Sequence, residues 1–245
     1  GVARRAPDGA WTTFGAADGL REPWVHALAL GDDGSLWCAW GRAGQRPDGR
    51  GTDGVSRRGP DGAWTHFGFD AGLPALVPTS VLVRRDGSVW AGFDTALEWH
   101  DQPFGDRNLA YYRPETGWIR VSPPAPVGRD AVYALAETPD GALWVLSARG
   151  VSRLTADGVW TTFADGTAGR FGATRESAAL AVGAEGRVWV GSRWAPLHRR
   201  RPDGTGGVAA PALASEAATD IAIAPDGRVW VGTVEWGARG FAVGW

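Results

Sequence analysis

Polar residues recur at one position of this chain, eleven residues before a tryptophan that follows a turn: His26, Thr79, Tyr133 and Thr219. One residue later in the last copy comes Asp220, where the other copies have alanine or serine. Imidazole, phenol, hydroxyl and carboxylate groups hydrogen-bond polar ligands, and His26 is also a candidate general base. We predict that these five residues supply the polar contacts of a ligand site. The alternative is a water-filled channel mouth.

A second candidate feature is a group of tryptophans outside the repeat pattern. The chain has 15 tryptophans, and nine recur at repeat positions, which predicts that they pack between structural units. Besides the terminal Trp245, the others are Trp24, Trp40, Trp99, Trp194 and Trp236. An indole face stacks on a sugar, a heterocycle or an aromatic side chain. We predict an aromatic floor that includes Trp24, Trp40, Trp194 and Trp236; the alternative is that they plug loops or cover the core.

Other chemistry is weakly supported by the sequence. It has no phosphate-binding glycine motif, no nucleophile elbow and no histidine or cysteine spacing typical of zinc. If the chain is an enzyme, the base would be His26 or, less favoured, His100. A loop calcium at Asp48 and Asp53 is a minor alternative, since the segment lacks EF-hand spacing. Cys38, the single cysteine, is predicted to be a buried filler.

The tryptophans belong to a repeat of strands. An acidic residue and a glycine precede Trp37, Trp90, Trp144, Trp189 and Trp230 at one spacing, and these tryptophans are 41 to 54 residues apart. Alternating apolar residues between Asp-Gly and Pro-Asp-Gly turns predict hairpins. Four such strands per repeat predict an all-β propeller.

Residues 1–245 are predicted to form a single propeller domain of five four-stranded antiparallel blades, with six blades as the alternative. The chain begins with the pattern of a third and a fourth strand and ends with the pattern of inner strands. This arrangement predicts closure of the ring by a composite blade, in which N-terminal outer strands join C-terminal inner strands.

The loops differ between the two faces of such a propeller. The first-to-second-strand turn has constant length, whereas the loop after the second strand varies and includes two long segments, 41–53 and 94–108. Variable loops on a rigid scaffold are where binding residues concentrate. All the candidate tryptophans and polar residues fall on the variable face.

Composition excludes two classes of partner. The net charge is −2, which provides no field for nucleic acid or an anionic membrane surface. No segment approaches the ~18 apolar residues of a membrane helix.

The segments AGLP (71–74), DGSVWAGF (86–93), EGRVWVGS (185–192), DGRVWVGT (226–233) and GVSRL (150–154) resemble the two-component regulator propeller repeat. This resemblance implies a sensory, ligand-binding domain outside the cytoplasm of a bacterium. The virginiamycin B lyases, which are enzymes built on a propeller, also resemble the turn–tryptophan pattern. We therefore predict a recognition domain for a small molecule or glycan. The alternatives are a lyase-like enzyme using His26 and a platform for protein–protein interaction.

Overall fold

A computed structural model describes residues 1–41, 53–74, 77–94, 108–121, 123–124, 131–147, 150–163, 178–192, 197–209 and 216–235. The chain divides into two compact units, Gly1–Ser122 and Pro123–Trp245. Among the described residues, no helix is long and apolar enough to cross a membrane.

The first unit is built from antiparallel strands joined by tight turns. It begins with a two-stranded sheet, β1–β2, followed by two four-stranded sheets of strand order β3-β4-β5-β6 and β7-β8-β9-β10. Its strands are β1 (Val2–Arg5), β2 (Trp11–Phe14), β3 (Val25–Leu30), β4 (Leu36–Trp40), β5 (Gly54–Arg58), β6 (Trp64–Phe67), β7 (Val77–Val83), β8 (Val89–Asp94), β9 (Leu109–Arg113) and β10 (Gly117–Val121). Short 3-10 helices, Ala16–Asp18 and Phe69–Ala71, precede β3 and β7.

The second unit repeats the same plan. It has two four-stranded sheets, β11-β12-β13-β14 and β15-β16-β17-β18, and ends with the two-stranded sheet β19–β20. Its strands are β11 (Val132–Glu137), β12 (Leu143–Ser147), β13 (Gly150–Leu154), β14 (Trp160–Phe163), β15 (Ala178–Val182), β16 (Val188–Ser192), β17 (His198–Arg200), β18 (Gly206–Val208), β19 (Glu216–Ile223) and β20 (Val229–Glu235).

The hairpins form where the Asp-Gly and Glu-Gly turns predict them. Gly34, Gly87, Gly141, Gly186 and Gly227 all have positive φ values between 71° and 85°. Glycine adopts this conformation without the steric cost that a side chain would bring. The four-stranded antiparallel sheets are those of propeller blades, which confirms the all-β class and the four complete units; closure and blade number are not established by these sheets.

The repeated tryptophans form the core of the complete blades. Trp37, Trp90, Trp118 and Trp144 are at most 7% exposed. In the first unit the ring of Trp37 meets Trp118 at 6.3 Å between centroids. In the second unit Trp144 stacks on Phe163 at 5.3 Å. The first contact joins two sheets, as expected where each sheet needs a neighbour to cover its face, whereas the second lies within one sheet.

Two of the nine repeated tryptophans differ from the prediction. Trp11 is 67% exposed and Trp230 is 47% exposed. Both lie on the two-stranded sheets, β1–β2 and β19–β20, rather than on a complete four-stranded sheet. Trp64, Trp160 and Trp189, on complete sheets, are half-buried, so full burial describes four of the nine repeated tryptophans.

Candidate functional site

The recurring polar position coincides with a β-bulge. Four inner strands change register at it, at His26, Thr79, Tyr133 and Thr219. The fifth inner strand has Ala178 there and pairs without a shift. A bulge leaves one residue outside the ladder and redirects its side chain, and bulges concentrate next to functional sites. The polar pattern thus marks a conformational feature of the inner strands.

The polar side chains at these bulges bind main-chain carbonyls of the neighbouring strand. Thr79 Oγ1 donates to Gly92 O at 3.1 Å, and Thr219 Oγ1 makes the same bond to Gly232 O at 3.2 Å. His26 Nε2 lies 2.6 Å from Gly41 O. A register shift interrupts the ladder, and a nearby hydroxyl or imidazole replaces the lost donor. This structural role explains polarity at the position whether or not a ligand binds there.

In the first blade, the bulge residue lies beside an exposed tryptophan. The main chain of Gly41 joins the two, because its N–H donates to Trp24 O at 3.0 Å and its carbonyl faces His26. A Cβ at position 41 would lie 2.6 Å from Asp53 Oδ1, so the Asp53 side chain occupies the space over this glycine. The main chain of Trp24 and the side chains of His26 and Asp53 therefore adjoin Gly41, and Gly41 and Asp53 are the first and last residues of the long segment 41–53. We call this group the Gly41 cluster.

Trp24 and Trp40, the two candidate tryptophans among the described residues, differ in solvent exposure. Trp24 is 55% exposed, so a large part of its indole is accessible to a ligand. Trp40 is 1% exposed and packs in a core cluster with Val2, Leu20 and Cys38. An aromatic floor requires an accessible ring, as Trp24 has, whereas the burial of Trp40 fits the alternative of a core plug. Cys38 is fully buried, and burial raises the pKa of its thiol to about 12.

A buried chain of hydrogen bonds holds Trp40 in place. Its Nε1 donates to Ser56 Oγ at 2.6 Å, and this hydroxyl lies 2.7 Å from His66 Nδ1. The Ser56 hydroxyl can accept from Trp40 and also bond the His66 nitrogen, because it has one proton and two lone pairs. Burial lowers the pKa of His66, which favours a neutral imidazole at neutral pH. Ser56 is 0% exposed, so this serine–histidine pair stabilises the blade and is not placed to act as a nucleophile.

The candidate residues of the second unit retain the same strand position. Tyr133 is half-buried, Thr219 is partly exposed, and Asp220 is exposed with its carboxylate accepting from Ile221 N at 2.8 Å. Of the predicted polar set, the first unit holds His26 and Thr79, on the inner strands β3 and β7.

Several predicted residues lie outside the described residues: Asp48, Trp99, His100, Trp194 and Trp236. Within the described ranges, no group of three histidine, cysteine, aspartate or glutamate side chains is arranged to hold a metal ion. The sequence reasoning missed the bulge and the approach of Asp53 to Gly41. The sequence does distinguish the bulged strands: the four with a polar residue at this position have a bulge, and the one with Ala178 does not.

No known family matches this sequence, and neither does any curated protein. Solved structures match its fold. Virginiamycin B lyase from Staphylococcus aureus superposes with a TM-score of 0.62 at 17% identity, covering 87% of this chain and 67% of the lyase. A structure of a catalytically inactive variant of that lyase contains quinupristin.

Two further structures show the same fold likeness. The extracellular domain of a hybrid two-component system protein from B. thetaiotaomicron has a TM-score of 0.59 at 16% identity, covering 86% of this chain and 26% of that one. A gluconolactonase from Xanthomonas campestris has a TM-score of 0.55 at 14% identity, covering 86% of this chain and 70% of the enzyme. The fold is therefore one that sensor domains and enzymes share, and this chain spans about two thirds of the lyase's length.

Proposed function

We propose that this chain is a ligand-recognition propeller that binds a small molecule or glycan on its variable-loop face. The observation that carries the proposal is the Gly41 cluster, where the imidazole of His26, the carboxylate of Asp53 and the main chain of Trp24 all adjoin Gly41 at the base of a long loop. The indole of Trp24 is exposed. An indole face and a few fixed polar groups are the usual elements of a small-molecule site. Thr79, Tyr133, Trp194, Thr219, Asp220 and Trp236 remain proposed contacts on the same face; Trp40 would act by supporting the cluster from the core.

The experiment measures binding at Trp24. A panel of methyl glycosides, nucleosides and aromatic amino acids is titrated calorimetrically into the protein, and at least one compound should bind with a Kd below about 1 mM. Trp24→Ala should weaken that binding about tenfold or more, because the ring supplies most of the accessible apolar surface. Trp11→Ala is the matched control, since Trp11 is also an exposed tryptophan of the first unit.

Two results would contradict the proposal. One is a panel in which no compound binds, and the other is an equal loss of affinity in the Trp24→Ala and Trp11→Ala variants. His26→Asn provides a second readout at the same cluster. It should weaken a polar ligand more than an aromatic one, because the change affects a hydrogen-bonding group and leaves the indole in place.

The second candidate is a lyase-like enzyme that uses His26, supported by the fold likeness to virginiamycin B lyase. A carbonyl oxygen only accepts hydrogen bonds, so the contact with Gly41 O requires a proton on Nε2 of His26. This leaves Nδ1 as the nitrogen that would act as a general base. Incubation with quinupristin, followed by mass spectrometry, tests the candidate. Loss of intact compound with the wild type, but not with His26→Ala, would favour it over simple recognition.

A sensory location outside the cytoplasm is also proposed, on the fold likeness to the extracellular two-component domain alone. The third candidate, a protein-interaction platform, requires a flat exposed patch rather than a recess around Trp24. Sequence that adjoins this chain in its gene would test the sensory role, because a membrane span followed by a kinase would support it and a second catalytic domain would contradict it.

We further propose that residues 1–245 form one five-bladed ring, closed by pairing of β1–β2 with β19–β20. Both sheets have two strands, and the first has the outer-strand sequences while the last has the inner ones. The inner strand β3 exposes Leu28 at 51% and Leu30 at 74%. These side chains line an apolar cleft of about 560 Å³ that Val2 and Phe14 border. The inner strands missing from the β1–β2 blade would cover this surface.

A further inference from the structure

The turn between the first and second strands has one departure from its repeat pattern. In every blade it contains an acidic residue followed by a glycine, and the two positions before them vary. The second complete blade has Arg84 and Arg85 there. The other blades have no cation at these positions, which are Gly31–Asp32, Thr138–Pro139, Gly183–Ala184 and Ala224–Pro225. Since four turns close without a cation at these two positions, the hairpin does not require arginine there.

Arg84 and Arg85 line a cleft within the first unit. It lies between their turn and the turn of the preceding blade, and its volume is about 560 Å³. This lies within the ~300–1,000 Å³ of typical small-molecule sites. Trp37 and Tyr112 contribute aromatic lining, with ring centroids 5.3 Å apart, and Arg57 contributes a third guanidinium.

The carboxylates of these turns are engaged by a repeated ion pair with the third strand. The pair recurs in three blades, at Asp33–Arg57 (2.9 Å), Asp86–Arg113 (3.0 Å) and Asp140–Arg153 (2.7 Å). Arg84 and Arg85 are not members of these three ion pairs. The side chains that line the cleft include three arginines and two aspartates: Arg57, Arg84, Arg85, Asp32 and Asp33.

Contacts within the blade fix one of the two arginines. The guanidinium of Arg84 lies over the ring of Trp90, 5.9 Å from its centroid. Burial alone would raise the pKa of Asp86, but hydrogen bonds from Ser88 and the charges of Arg84 and Arg113 lower it below its ordinary value. Asp86 therefore stays ionised and paired with Arg113.

We propose that this cleft binds a small organic anion, with Arg84 and Arg85 donating charge-assisted hydrogen bonds to its carboxylate or phosphate oxygens. Guanidinium groups present paired donors that match such oxygens, and these bonds are among the strongest in proteins. Trp37 and Tyr112 would contact the organic part of the ligand. The site lies at the constant-length turns, opposite the variable loops, and it is independent of the Gly41 cluster.

Citrate and inorganic phosphate are the two probes, titrated calorimetrically at low ionic strength because salt screens exposed charges. The wild type should bind citrate, and Arg84→Gln/Arg85→Gln should weaken binding about tenfold or more. Arg199→Gln/Arg228→Gln is the matched control, since it removes the same charge from exposed positions of the second unit. Comparison of the probes shows whether the organic part adds affinity beyond the oxyanion.

Absence of citrate binding to the wild type would overturn the proposal. Equal weakening in both double variants would also overturn it, because only net charge would then be at work. Trp24→Ala should bind citrate as the wild type does, so failure of this inference and failure of the proposed function give different results. Unchanged thermal unfolding of the Arg84→Gln/Arg85→Gln variant shows that lost binding does not come from lost structure.

Discussion

At the scale of single residues, chemically similar side chains have different roles because their burial differs. Trp24 and Trp40 lie at the two sides of Gly41, yet one indole is exposed and the other is enclosed. Enclosure gives Trp40 a hydrogen bond to Ser56 and contacts on all sides. Their substitutions should therefore separate stability from binding.

Trp40→Ala should lower the free energy of unfolding by about 3–5 kcal/mol, the usual cost of deleting a large buried aromatic side chain. It also removes the donor to the buried Ser56 hydroxyl, which adds to the loss. Trp24→Ala should leave the melting temperature within a few degrees of wild type. Thermal and urea unfolding of both variants measure the difference, and equal destabilisation by Trp24→Ala would place that ring in the core.

At the scale of elements, the inner strands combine a β-bulge with a side chain that replaces a ladder hydrogen bond. The same bond from threonine occurs twice, at Thr79 and at Thr219. Thr79 is 6% exposed, whereas Thr219 lies in a more accessible setting. Comparison of Thr79 with Thr219 therefore shows how burial affects the stability contributed by a hydrogen bond from threonine to a main-chain carbonyl.

Thr79→Val should cost about 1–3 kcal/mol of unfolding free energy, because it leaves the carbonyl of Gly92 buried without this donor. Thr219→Val should cost less, since water reaches the carbonyl of Gly232 more easily. Chemical unfolding of the two variants provides the comparison. A larger loss for Thr219→Val would mean that the hydroxyls contribute something other than satisfaction of the carbonyls.

At the scale of the whole molecule, the two-stranded sheets at the ends are the features that the ring proposal must account for. In complete blades the repeated tryptophan pairs with the third-strand residue at one register, as Trp37 does with Arg57 and Trp189 with Arg199. The same register, carried to the ends of the chain, sets Trp230 opposite Arg4. It also sets Val231 opposite Ala3.

Ala3→Cys/Val231→Cys should therefore form a disulfide within one chain, because paired strands bring Cα atoms within the roughly 4.4–6.8 Å that a disulfide needs. Ala3→Cys/Val208→Cys is the control and should stay reduced. The fully buried Cys38 should not compete. Non-reducing electrophoresis and mass spectrometry measure the outcome; cross-linked dimers would assign the seam to a second copy, and a lack of cross-linking would contradict closure.

The local pattern of the sequence determined the strands, because turn chemistry and apolar alternation act over a few residues. The apolar runs VHALAL and LWCAW, on either side of an Asp-Gly turn, form β3 and β4, and the turn glycines have positive φ. The position of His26, Thr79, Tyr133 and Thr219 was likewise visible in the repeat, although their bulges were not. A register shift depends on the pairing of two strands, and a single strand's sequence does not specify it.

Tertiary structure alone decided which side chains are accessible. Trp24 and Trp40 were indistinguishable as loop tryptophans, and the packing of Val2 and Leu20 over Trp40 separated them. The exposure of Trp11, the approach of Asp53 to Gly41 and the cleft beside Arg84 have the same origin. Burial and long-range approach arise when segments distant in the chain share one volume, so they follow from the assembled sheets and not from local sequence.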